Sequence, residues 1–168
     1  MLLGLSDLMR STLETPGPTT TLGAEVAFVE RYVALQRVRF MDRLSVSYAI
    51  EPGCAACEVP TLLLQPLVEN AFRHGIARRA GACTIDISAR VDGGRLRIRI
   101  RDDGAGLPPG FDLQAGAGVG LRNTQSRLER SYGTAASLAI ASPPAGGTDV
   151  EIAMPATLGS VPGIQAAG

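Results

Sequence analysis

The chain has 168 residues, 45% of them hydrophobic and 19% charged, which is the balance of a folded domain with a core. Sixteen basic side chains cancel sixteen acidic ones, so no net field recruits nucleic acid or an anionic membrane. Every basic residue is arginine, and without a lysine this chain supplies no Walker A loop, protein-kinase site or Schiff-base site of its own.

In chain order, residues 1–14 read as a helix with Leu2, Leu5, Leu8, Met9 and Leu13 near one face. They lack the basic flank and small-residue cleavage site of a signal peptide. TPGPTTT at 15–21 reads as a breaker and linker. A helix over about 22–42 follows, with Val26, Val29, Val33 and Phe40 on its apolar side and Glu30, Arg37 and Arg39 among its polar positions. Residues 43–51 alternate like a strand, and EPGCAACEVP after them is a loop. Cys54, Cys57 and Cys83 lack the second pair or nearby histidine that zinc needs, and read as reduced thiols.

From Pro60 to Ile76 a helix is expected, with Leu64, Leu67, Val68, Ala71 and Phe72 forming the buried stripe. PTLLLQPLV within it is interrupted by Gln65, and no apolar run reaches the roughly eighteen residues of a membrane span. Strands at 84–91 and 95–102 are joined by Asp92-Gly93-Gly94. Ile85, Ile87, Ala89, Leu96, Ile98 and Ile100 point to one side, while Asp86, Ser88, Arg90, Arg95, Arg97 and Arg99 point to the other. This alternation predicts an antiparallel sheet with one covered and one solvated face. Residues 103–118 form a long Gly/Pro/Ala loop of the kind that serves as a lid. Helix 119–132 and strands 136–142 and 148–154 complete an α+β two-layer sandwich, a fold that hairpins favour over a doubly wound one.

Four segments carry chemistry. In QPLVENAFRHGI, Asn70, Arg73 and His74 fall at i, i+3 and i+4, so an amide oxygen, a guanidinium and the chain's one imidazole share a face suited to a magnesium triphosphate. Taken alone, that helix is better read as a plain polar face. In RDDGAGLP, Asp102 ends a strand and can accept a hydrogen bond from an amino group, while Gly104 and Gly106 leave room for a flat ring. An ordinary turn fits that segment about as well. In GAGVGLRNTQSRL, Gly118 and Gly120 lead into a helix whose first amides can meet phosphate. In GGTDVEIAMP, Thr148 opens the last strand and offers a hydroxyl beside whatever Asp102 binds.

In this order the four segments resemble the N, G1, G2 and final Gly-Thr boxes of the GHKL ATPase superfamily, and the chain is most similar to LytS-type sensor histidine kinases. LSDLMR (5–10), EVAFVERY (25–32), RFMDRL (39–44) and VPTLLLQPLVENAFRHGI carry that likeness. The resemblance implies the Bergerat fold with a mixed, mainly antiparallel sheet over 43–155. Residues 1–42 would be a partial helical dimerisation and phosphoacceptor segment, with 156–168 a disordered tail. It implies ATP and Mg²⁺, with Asn70 as metal ligand and Arg73 and His74 near the phosphates. Asp102 would read adenine in a pocket lined by Gly104 and Gly106. Gly118, Gly120 and Leu121 would belong to the lid and phosphate end, and Thr148 to water-linked adenine contacts. Glu69 would be a base or orienting group. Where gyrase-like relatives carry a catalytic glutamate, four residues before the asparagine, this chain has Pro66. That departure argues against hydrolysis and suits phosphoryl transfer.

The family's phosphoacceptor histidine lies upstream of LSDLMR, so the expectation is a kinase fragment that phosphorylates a histidine outside this chain, His74 being part of the N box. Its partners would be that phosphoacceptor helix, a response regulator and a second copy through residues 1–42. The Leu2-Leu5-Leu8-Met9 stripe would then self-associate or fray. The expected location is cytoplasmic, whether or not the kinase is anchored elsewhere, with no membrane contact by this segment. The alternative reading is a freestanding GHKL module, akin to anti-sigma kinases, that binds a protein partner.

Overall fold

The computed structural model describes residues 17–40, 43–76, 80–116 and 118–159. The helix expected over 1–14, and the self-association expected of its apolar stripe, lie outside these residues. Strand β1 (Thr19–Thr21) leads into helix α1 (Leu22–Phe40), followed by β2 (Leu44–Ile50), a 3₁₀ turn at Cys54–Ala56 and β3 (Glu58–Pro60). Helix α2 (Leu64–Ala71) runs into a wider π turn, Phe72–Ile76. Next come β4 (Cys83–Asp92), β5 (Arg95–Asp102), the short α3 (Leu113–Gly116), α4 (Val119–Tyr132), β6 (Ser137–Ala141) and β7 (Thr148–Pro155).

A five-stranded sheet in the order β2-β4-β5-β7-β6 forms one layer. Neighbours are antiparallel except β2 and β4, which are parallel, with Leu44 opposite Cys83 and Ile50 opposite Ala89. The crossover through β3 and α2 makes that pair parallel, since two strands running the same way cannot be joined by a hairpin. The expected mixed, mainly antiparallel sheet is what forms. Its inner face is as anticipated: Ile85, Ile87, Ala89, Leu96, Ile98 and Ile100 are buried together with Val150, Ile152 and Met154. On the outer face, Arg97 pairs with Glu151 and Arg99 with Asp149, so two arginines of the ladder are ion-paired across to β7. A shallow depression of about 560 Å³ on that face is lined by small Ala49 and Ser88 among these paired side chains.

Helices α1, α2 and α4 cover the inner face. On α1, Val29 and Val33 are buried as expected, and Val26 and Phe40 pack partly buried against the core. Tyr32 meets Phe72 of the π turn edge-on at 5.5 Å between ring centres. The helix assigned to a segment ending at residue 42 is thus continuous in its packing with the core of the sheet domain.

Three expectations change. Thr19–Thr21 is not linker but a strand, antiparallel to Glu58–Pro60; β-branched threonines suit extended backbone, and their partner lies about forty residues away, beyond local pattern. The helix begins at Leu64 and not at Pro60, because Pro60 ends a strand and Leu62 sits at φ 60°. The tail joins the fold over 156–159: Ala156 N–H donates to the Gly94 carbonyl, Glu58 N–H to Thr157, and Gly159 N–H to Ala56. Residues 160–168 lie outside the described chain.

Candidate functional site

Asp102 ends β5 directly opposite Thr148, the first residue of β7. Both side chains are buried, 5% and 4% exposed, which is unusual for a carboxylate and requires compensation. Oδ1 of Asp102 accepts the backbone N–H of Gly104 at 2.8 Å and of Thr148 at 3.3 Å. Burial pushes the carboxyl's pKa above its ordinary value, and these N–H groups pull it partly back. A strong acceptor is therefore held in place by backbone N–H groups.

Glycine geometry shapes the wall around this carboxylate. Gly106 has φ 76°, and a Cβ there would stand 2.4 Å from Ser142 Oγ. Ser142 Oγ accepts the Leu107 N–H at 2.9 Å and donates to the Gly147 carbonyl at 2.8 Å, tying the turn after β5 to the turn before β7. At Gly147, φ is 80° and a Cβ would come within 1.9 Å of the Asp102 carbonyl oxygen. Asp102, Gly104, Gly106 and Thr148, singled out from sequence, thus belong to one bonded unit. Gly147 and Ser142 were missed as members of it. The Gly-Gly-Thr run was the available signal for Gly147, whereas Ser142 joins through a contact 35 residues distant in sequence.

The second cluster is helical. Leu64, Leu67, Val68, Ala71 and Phe72 form the buried stripe, leaving Glu69 and Asn70 half-buried and Arg73 and His74 exposed. Gln65 Nε2 donates to Glu69 Oε1 at 2.8 Å, one turn along. The helical spacing assumed for Asn70, Arg73 and His74 is interrupted: the helix widens to π geometry from Phe72, so residues 73 and 74 are rotated from the expected face. Gly118 is extended (φ −62°, ψ 166°) and precedes the first turn of α4. A Cβ on Gly120 would touch Pro66 Cβ at 3.4 Å, which sets the start of α4 beside the first turn of α2. Asn70 follows Pro66 by one helical turn and so lies on the same side. Leu121 departs from expectation: its side chain is 3% exposed and packs in the core, leaving only its backbone at the helix start. The loop over 103–118 contains the unexpected α3, with Phe111 and Leu113 packed partly buried on the core.

Helix α2 packs against β5, the strand that ends in Asp102. Residues 59–158 match the family described as histidine kinase-, DNA gyrase B- and HSP90-like ATPase. The chain belongs to this ATPase family. A second family, described as histidine kinase, matches residues 1–44. Among relatives, the chain is 36% identical over 148 residues to Sensor protein LytS of Staphylococcus haemolyticus, covering 82% of this chain and 25% of that protein. It is 30% identical over 151 residues to Sensor histidine kinase BtsS of Escherichia coli K12, covering 90% and 26%. The chain therefore spans about a quarter of the length of these relatives.

Among solved structures, the fold matches the histidine kinase domain of the Erythrobacter litoralis EL346 blue-light activated kinase. The TM-score is 0.62 at 22% identity, over 89% of this chain and 69% of the other. The catalytic domain of histidine kinase ThkA matches with TM-score 0.59 at 16% identity, over 84% and 97%. This ATPase-family domain is an ATP-binding catalytic domain of the sensor histidine kinase type, with the α+β sandwich expected for it. No helix among the described residues is long and apolar enough to cross a membrane.

Proposed function

We propose that the domain binds ATP as its Mg²⁺ complex between α2, the glycine turn after β5 and the start of α4, and directs the γ-phosphoryl group to a histidine outside the described residues. The observation that carries this reading is the buried Asp102 carboxylate, held by the Gly104 and Thr148 amides in a turn too tight for side chains at 106 and 147. Such an acceptor suits the exocyclic amine of adenine, and glycines let a flat ring approach the backbone. Thr148 joins through its hydroxyl. Asn70 offers a hard oxygen to the metal, Arg73 and His74 approach phosphate oxygens, and the amides after Gly118 and at Gly120 and Leu121 face the phosphate end.

Among the described residues no group of three or more His, Cys, Asp or Glu could hold a metal ion. Mg²⁺ keeps several waters and takes one or two protein oxygens together with substrate phosphates. When bound, Mg²⁺ neutralises charge on the triphosphate. Glu69 is held by Gln65 and acts as an orienting group, and Pro66 occupies the place of a water-activating base. Transfer breaks the bond from the γ-phosphorus to its bridging oxygen and forms a bond to an imidazole nitrogen, with ADP leaving. Positioning and charge neutralisation supply most of what this step requires.

The histidine kinase match over residues 1–44 supports a dimerising segment there, and the sensor-kinase relatives support onward transfer to a response regulator. Titrating ATP·Mg²⁺ into the chain and into Asn70→Ala tests the binding step, and adding the upstream helix in trans tests transfer. Saturable binding weakened by the substitution, with acid-labile phosphate on the added helix, is the expected result. A chain that takes up no nucleotide refutes the proposal.

A further inference from the structure

Among the described residues, Leu62 is the one non-glycine at positive φ, in the turn just before α2. A branched aliphatic side chain gains nothing in that conformation, so neighbours must impose it. They come from two other helices. Glu25 of α1 is 5% exposed, and its carboxylate oxygens accept the N–H of Leu62 at 2.7 Å and of Leu64 at 3.0 Å. Arg127 of α4 donates from its guanidinium to the carbonyls of Thr61 and, at 3.4 Å, Leu62. The turn is gripped on its donors from one side and on its acceptors from the other. Helix α2 has no side-chain cap of its own, so Glu25 serves as its cap from a distance.

Gly120, Thr124 and Arg127 follow at i, i+4 and i+7, and share the α4 face that lies along α2. One end of that face touches Pro66 through Gly120, and the other holds Thr61 and Leu62 through Arg127. The spacing between the glycine-led start of α4 and the helix carrying Asn70 is therefore set by the gripped turn. Nothing in the nucleotide chemistry uses Glu25 or Arg127 directly.

We propose that Glu25 and Arg127 are positioning residues of the nucleotide site, holding Leu62 left-handed so that Asn70 and the start of α4 stand at the separation that ATP·Mg²⁺ requires. This rests on the nucleotide reading above.

The test compares ATP·Mg²⁺ affinity and melting temperature in the full chain, Glu25→Ala, Leu62→Gly and the double variant. Glu25→Ala weakens binding by about tenfold, the scale of one strained backbone conformation. Glycine adopts positive φ without strain, so Leu62→Gly in the Glu25→Ala background recovers most of that affinity. It lowers the melting temperature further, because a half-buried leucine is lost. A role confined to stability moves the two readouts together and gives no such rescue. If Glu25→Ala does not fold cooperatively, Glu25→Gln carries the same comparison, since its single oxygen holds one of the two N–H groups. Wild-type affinity in the Glu25 variant, or a double variant binding no tighter than the single one, overturns the clamp alone. A wild-type chain that binds no ATP overturns the nucleotide reading and the clamp with it.

Discussion

The backbone of Gly147 packs so closely on Asp102 that a Cβ at residue 147 would stand 1.9 Å from the Asp102 carbonyl oxygen and 2.8 Å from its carbon. The strand end that carries the buried carboxylate and the turn before Thr148 are in contact with no space between them. The Thr148 amide reaches the carboxylate from that same turn.

Gly147→Ala therefore combines a steric overlap with backbone with a positive φ of 80°. The neighbour is main chain in a strand and cannot swing aside. We expect a loss of about 3 kcal/mol or more, seen as a lowered melting temperature, together with loss of ATP binding. A variant that melts like the parent contradicts this packing.

Asp102→Asn separates stability from binding. Both backbone bonds land on Oδ1, which an asparagine retains, whereas its Nδ2 replaces an acceptor with a donor. Because burial raises the acid's pKa, its ionised form opposes folding above that pKa and the opposition is relieved as pH falls through it. At neutral pH the asparagine variant should melt at or above the parental temperature and fail to bind ATP. A variant that binds ATP like the parent removes the adenine role assigned to this carboxylate.

Asp149 predicts the opposite pH response. Its hydrogen bonds with Arg99 hold it below the ordinary value of 3.8. A depressed carboxyl stabilises the fold above the unfolded pKa, and that contribution is lost as pH falls through the folded one. Melting temperatures followed downward from pH 5 should decline less steeply in Asp149→Asn than in the parent, by a modest amount because the pair is partly exposed and salt-screened. Parallel curves would mean that the pair contributes nothing measurable.

Asn70→Ala tests the metal role by its dependence on the ion. If the amide oxygen acts through Mg²⁺, the substitution should weaken ATP binding by roughly tenfold with Mg²⁺ present and far less in chelator. An equal loss in both conditions would mean that Asn70 meets the nucleotide itself.

The buried stripe of α2, the inner and outer faces of β4 and β5 and the extent of α4 were all legible in the sequence, because side-chain period reports directly on which face meets water. Asp102, Gly104, Gly106 and Thr148 could be picked out because a carboxylate beside spaced glycines and a Gly-Thr strand opening are local patterns. Glu25 could not be. On its helix it reads as an ordinary early acidic residue, and its partners Leu62 and Leu64 are 37 and 39 residues away.

Residue pattern alone was thus enough for the sandwich and the family, since each follows from short-range periodicity or from motifs in order. Tertiary contact settled the rest: the β1–β3 pair, the start of α2 after a left-handed leucine, and the burial of Leu121. It also decided the tail's attachment over 156–159 and the grip of two helices on the turn at 61–64. The physical reason is common to all of them. Each satisfies a backbone or apolar group with a partner far along the chain, and local preference carries no information about which distant group will arrive.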